Sequence, residues 1–114
     1  MQCLAYAVQK YKAITGKPSP STAADDEVGT WFDNAAKKTQ TIRSKCVACW
    51  RDKKGYPRGH ALCVGELVPG LNKYECYEAN WDDKGNTRTR YWDGTEIKNL
   101  YINSKDEFLG YVYN

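Results

Sequence analysis

Apolar residues at 4, 7, 8, 11 and 14 recur at the i, i+3, i+4, i+7 spacing of one helix face, which predicts a helix over Cys3–Thr15. Gly16 follows as a C-cap, and Pro18 and Pro20 prevent continuation. The stretch GKPSPST is then a loop. Val28, Trp31, Phe32 and Ala35 share a second helical face, predicting a helix over about Val28–Lys38 whose first turn is weakened by Gly29. After Lys38 the period shortens. TIRSKCVACWRD reads as a strand, ended by the turn-rich KKGYPRG. HALCVGELV alternates as a second strand, closed by PGLN, and KYECYEANW is a third, stopped by DDKGN. TRTRYW, EIKNLYI and FLGYVYN supply further short strands, with the Asp93-Gly94 pair as a hairpin turn. Two helices followed by consecutive antiparallel strands predict an α+β domain, the helices packed on one side of a curled antiparallel sheet.

Composition narrows the function classes. The 114 residues suit one domain, residues 1–114, with a single core. Nine Tyr and four Trp against two Phe suit strands and polar clefts, because these rings carry a hydrogen-bonding tip. A mean hydropathy of −0.76 and the absence of a long apolar run argue against a membrane span. No charged n-region precedes an apolar stretch, so no signal peptide is visible. The net charge of +3 is scattered, and its nearest cluster, Arg51, Lys53, Lys54 and Arg58, is interrupted by Asp52. That is too weak a footprint for a nucleic-acid reader, and no nucleic-acid partner is expected. A mild positive charge favours approach to anionic surfaces such as cell envelopes.

The five cysteines are Cys3, Cys46, Cys49, Cys63 and Cys76, an odd number that leaves at least one thiol unpaired in a monomer. Cys46 and Cys49 form a CxxC, which raises zinc or a redox pair. A zinc ribbon repeats that motif, whereas Cys63 and Cys76 stand alone. The segment KCVACW is β-prone, and residues three apart on a strand point to opposite faces. These four read as small apolar core residues in a reducing compartment. No metal site or cofactor is expected.

Cys3 differs, because it stands at the head of the first predicted helix. Cysteine catalysis needs a thiolate, and both the positive end of a helix and a nearby imidazolium lower a thiol pKa. The one histidine, His60, heads a predicted strand after a glycine-rich turn. A histidine acting as base needs a third group to orient it. Glu78 and Asn80 share a face of the next strand, and a hairpin looping near residues 68–72 brings position 60 opposite about 80. Cys3, His60 and Glu78 or Asn80 therefore form a candidate triad.

The elements QCLAYA, GHALCVGEL and YEANW, in that order over Gln2–Trp81, resemble the CHAP family of cysteine, histidine-dependent amidohydrolases/peptidases that cut peptidoglycan. The resemblance implies a papain-like minimal core. It implies Cys3 as nucleophile, His60 as its ion-pair partner, Glu78 as the group orienting His60, and Asn80 as an alternative or support in that role. It also implies Gln2 as an oxyanion donor beside the Cys3 backbone N–H. Trp81, Tyr56 and Tyr6 become candidate walls of the substrate cleft. The chain departs from the family pattern where Met1 replaces the glycine before Gln2, and RSKCVACW lacks the Gly-Asp pair that usually precedes the histidine strand. Some relatives bind calcium near the cysteine. No Asp or Glu lies between Met1 and Asp25, so no such site is expected.

The expected function is a peptidoglycan hydrolase, an endopeptidase or N-acetylmuramoyl-L-alanine amidase, with bacterial peptidoglycan as partner and a monomer as the working form. Without a visible signal peptide, delivery of the phage endolysin type, or a place as a module of a larger protein, is expected. The alternatives are a small amidase toxin or effector, a catalytically silent wall-binding or structural module of the same fold, and a zinc module built on Cys46, Cys49, Cys63 and Cys76.

Overall fold

The computed structural model describes residues 2–24, 27–53, 59–81, 84–104 and 106–114. Helix α1 spans Cys3–Thr15, as the apolar spacing requires, and buries Leu4, Ala7, Val8 and Tyr11. It ends where Gly16 adopts φ 68° and returns its N–H to the Lys12 carbonyl, a left-handed cap that costs glycine nothing. Helix α2 spans Val28–Asp33 and buries Val28 and Trp31. Each large apolar side chain withdrawn from water in this way contributes about 1.5–3 kcal/mol.

The sheet has six antiparallel strands: β1 Lys37–Thr39, β2 Cys46–Asp52, β3 His60–Val68, β4 Lys73–Ala79, β5 Thr87–Trp92 and β6 Asp106–Tyr113. Their order is β1-β6-β2-β3-β4-β5, so β2 and β3 are central and β1 and β5 are the edges. The sheet is open rather than closed into a barrel. Central position explains why the run Cys46–Trp50 is buried without interruption: both faces of β2 are covered.

One face packs on α1 and α2 through Val47, Cys49, Ala61, Cys63 and Val112. The other carries Cys46, Ala48, Trp50, Leu62, Val64, Cys76 and Tyr111. That second face is capped by a third helix, α3, over Gly94–Asn99, through Ile97 and the adjoining Leu100 and Tyr101. No helix among the described residues is long and apolar enough to cross a membrane.

Four sequence expectations are corrected. The second helix stops at Asp33 rather than Lys38. The Ala36 N–H bonds to the Pro20 carbonyl, and Lys37–Thr39 pairs with Tyr111–Tyr113 of β6, so the chain is already extended there. The predicted strand EIKNLYI is instead mostly helical. Asp93 is not a hairpin-turn residue but the N-cap of α3, in a capping box with Glu96: each side chain satisfies the other's backbone N–H. The helices consequently lie on both faces of the sheet, the N-terminal pair on one and α3 on the other.

Candidate active site

The site is assembled where α1 begins and β3 begins. Gln2 caps α1 with an extended backbone and no side-chain cap bond, and no acidic residue occupies the first turn. The partial positive charge of the helix end is therefore not neutralised by a neighbouring carboxylate. Cys3 lies in that field, half-buried, with Sγ 3.9 Å from the Gly59 carbonyl oxygen.

Gly59 has φ 91°, and a Cβ placed there would stand 2.3 Å from the Trp50 carbonyl oxygen. Only glycine permits this approach, which lets β3 start tight against β2 and pairs His60 with Trp50. Beside this pair, the β2–β6 register slips between Cys49 and Trp50. Trp50, with its ring centroid 5.8 Å from that of His60, and Tyr101, at 4.8 Å, form aromatic walls around the imidazole.

His60 is buried, at 6% exposure, and Glu78 more so, at 1%. The Nε2 of His60 lies 2.8 Å from Oε2 of Glu78, and the Tyr101 hydroxyl donates to the same oxygen at 2.7 Å. The other carboxylate oxygen, Oε1, accepts from Arg88 Nε at 2.5 Å. With Nε2 committed to Glu78, Nδ1 is the imidazole nitrogen left to interact with Cys3, and the charges of the two groups favour each other's ionised form. The line runs Cys3, His60, Glu78, Arg88, and in the ionised form its charges alternate.

Ionisation follows from these contacts. Burial alone would push the Cys3 thiol up, but the His60 hydrogen bond and charge, together with backbone hydrogen bonds from Ala61 and Leu4, bring it below its ordinary value. Burial opposes protonation of His60, yet hydrogen bonds and charge from Cys3 and Glu78 outweigh it and raise the imidazole to about 9. For Glu78, burial is likewise outweighed, here by His60, Tyr101 and Arg88, and the carboxyl is held below its usual range. Burial and the Glu78 charge push the Tyr101 phenol up, so it remains a donor.

The other four cysteines behave oppositely. Burial drives Cys46 and Cys63 up to about 12, and raises Cys49 and Cys76 as well. They divide between the two core layers, Cys49 and Cys63 on the α1 side and Cys46 and Cys76 on the α3 side. That partition separates the CxxC pair across the sheet, and no group of three metal-ligating side chains occurs among the described residues.

The remaining sequence candidates divide. Asn80 belongs to the β4–β5 turn rather than to the histidine. It adopts φ 58°, its N–H bonds to the Asn86 carbonyl, and its Oδ1 accepts from the Gly85 N–H at 2.7 Å. The orienting role therefore falls to Glu78. Gln2 is exposed, and its side chain makes no cap hydrogen bond to α1. Tyr6 lies one turn after Cys3, with the Lys10 ammonium 5.8 Å from its ring centroid. Trp81 stacks on Arg88, whose guanidinium carbon is 4.4 Å from the ring centroid. Tyr56 lies outside the described residues.

Arg88, Tyr101 and Trp50 are the site residues that sequence reasoning did not single out. Arg88 could have been found, since it faces Glu78 once the DDKGN turn fixes the β4–β5 register. Tyr101 could not, because it reaches the site only when EIKNL is helical. Comparisons with protein-family models, with curated proteins and with solved structures return no match to this chain.

Proposed function

We propose that this chain is a cysteine hydrolase of amide bonds, with a papain-like arrangement of nucleophile, histidine and carboxylate. The observation that carries the reading is the buried His60–Glu78 pair, 2.8 Å between Nε2 and Oε2, set beside the head of α1: of the five thiols, only the one at the α1 N-terminus is driven toward the thiolate. A structural cysteine–histidine contact would not need a buried carboxylate behind the imidazole, because burying that charge is costly unless it orients or stabilises something.

In this reading the Cys3 thiolate attacks the scissile carbonyl carbon. The resulting oxyanion is met by the Cys3 backbone N–H and the Gln2 side-chain amide, donors of a kind that each supply about 3 kcal/mol in acyl transfer. The His60 imidazolium gives its Nδ1 proton to the leaving amine as the carbon–nitrogen bond breaks, which leaves a thioester on Cys3 and a neutral imidazole. His60 then takes a proton from water as that water attacks the thioester. Collapse of the second intermediate releases the carboxylic acid and restores the thiolate–imidazolium pair. Throughout, Glu78 holds the Nε2–H and stabilises the positive ring.

The substrate class rests on the CHAP resemblance of QCLAYA, GHALCVGEL and YEANW, and the reading is a peptidoglycan amidase or endopeptidase. Purified bacterial cell walls incubated with the protein should release new amino and carboxyl termini identifiable by mass spectrometry, and the Cys3→Ala protein should release none. Walls left intact by folded wild-type protein would overturn the substrate assignment. Hydrolysis of a non-wall amide instead would favour an effector.

A further inference from the structure

The two oxygens of Glu78 have separate partners. Oε2 faces His60 and Tyr101, while Oε1 meets both Nε and Nη2 of Arg88, each at 2.5 Å. Arg88 stands directly across the β4–β5 ladder from Glu78, so strand pairing sets their approach. The guanidinium carbon is in cation–π range of two indole rings, 4.4 Å from the centroid of Trp81 and 5.4 Å from that of Trp92. Its side chain is 20% exposed and that of Glu78 is 1% exposed, unlike the solvent-facing pairs elsewhere on this chain, such as Lys45–Glu66. A surface ion pair contributes little, whereas this one is desolvated and clamped.

The charged and titratable groups facing the carboxylate are His60 from β3, Tyr101 from the segment after α3, Arg88 from β5 and Cys76 on its own strand; Cys3 of α1 faces the imidazole beyond. An unshared buried carboxylate would make His60 hold its proton too tightly. A general acid that strongly basic is slow to protonate a leaving group. Arg88 draws on the same anion from the far side, and an arginine stays charged across the whole working range.

We propose that Arg88 is a positioning residue of the hydrolytic site, gripping one oxygen of Glu78 so that the other is aimed at His60 and tempering the basicity of the imidazole through its charge. This rests on the cysteine-hydrolase reading above. It assigns to the Trp81–Arg88–Trp92 stack a share in setting the pH range of the Cys3–His60 pair, rather than a role in walling the cleft.

The single histidine makes the test direct, because the Cε1–H resonance of His60 is the only one of its kind in the NMR spectrum. Its titration is followed in wild type, Arg88→Gln and Arg88→Lys. Glutamine keeps a planar group for the tryptophan stack and removes the charge, so the His60 midpoint should rise by about half to one pH unit. Lysine keeps the charge with a single donor and should move the midpoint less, in the same direction. An unmoved or lowered midpoint in folded Arg88→Gln overturns the proposal; where that variant does not fold, Arg88→Met, which also removes the charge and keeps an apolar stem, is read the same way. Failure of the hydrolase reading looks different. A wild-type midpoint at the ordinary value of about 6.5, with a Cys3 thiol unreactive at neutral pH, would defeat that reading whatever the Arg88 variants show.

Discussion

His60 and Glu78 are joined across β3 and β4 by a 2.8 Å contact between Nε2 and Oε2, with both side chains buried. The contact leaves the opposite ring nitrogen for Cys3. It joins the head of β3 to the C-terminal end of β4.

Removing either end of that line should remove turnover. Cys3→Ala should lower kcat by at least about 10³-fold while leaving the thermal midpoint within a few degrees, since the side chain lost is small and half-buried. His60→Ala should cost activity comparably and also stability, because it strands the Glu78 charge. Turnover by release of wall peptides, with circular dichroism as the fold control, checks both. Residual activity in Cys3→Ala would remove the nucleophile from the account.

Activity should follow a bell in pH. Its acid limb is set by Cys3, below the ordinary thiol value, and its alkaline limb by loss of the His60 proton at about 9. Glu78→Gln deletes the anion that raises His60, so the alkaline limb should move to lower pH and kcat should fall by about 10–100-fold. A kcat/KM profile of the two proteins checks the direction. Tyr101→Phe leaves the anion in place and should leave that limb close to its wild-type position.

Stability should carry the mark of Glu78 at low pH. Its folded value lies below the ordinary 4.5, so its contribution is full above about 4.5 and is lost as pH falls through the folded value. Thermal midpoints measured from pH 6 down to about pH 3 should therefore fall less steeply for Glu78→Gln than for wild type. Parallel slopes would show that the carboxylate is not specially held.

Gly59 should be intolerant of any side chain. Alanine there would combine the strained φ of 91° with a Cβ 2.3 Å from the Trp50 carbonyl oxygen. Gly59→Ala should destabilise the protein by about 2 kcal/mol or more and displace His60 from Trp50, which a fall in both thermal midpoint and kcat would report.

Much of this arrangement was legible because it depends on local pattern and on one hairpin. The spacing of Leu4, Ala7, Val8 and Tyr11 defined α1, and hence the place of Cys3 at its tip. The Val68–Asn72 turn put position 60 opposite 80, in line with the observed pairing of Cys63 with Tyr77 and Val64 with Cys76. The opposite orientations expected of Cys46 and Cys49 are those observed. What was hidden depended on competing local signals. Asp93-Gly94 reads equally as a hairpin turn or as a helix start, and only Glu96, three residues after Asp93, decides for the capping box. Reading that stretch as a strand concealed Tyr101. Asn80 and Glu78 were equivalent by alternation, and the left-handed backbone at Asn80, which turns it into the β4–β5 connection, has no signature in residue type alone.

The most direct test of the central claim is the rate of Cys3 alkylation by iodoacetamide from about pH 4 to about pH 9, in wild type and in His60→Ala. The buried Cys46, Cys49, Cys63 and Cys76 should stay unmodified in the folded protein, so a single adduct reports Cys3. A thiolate that titrates below about pH 7 in wild type and near 8.5 in the variant is the predicted result. Titration near 8.5 in both proteins, or a Cys3 that does not react, would show a packed thiol with no ion pair and would contradict the account.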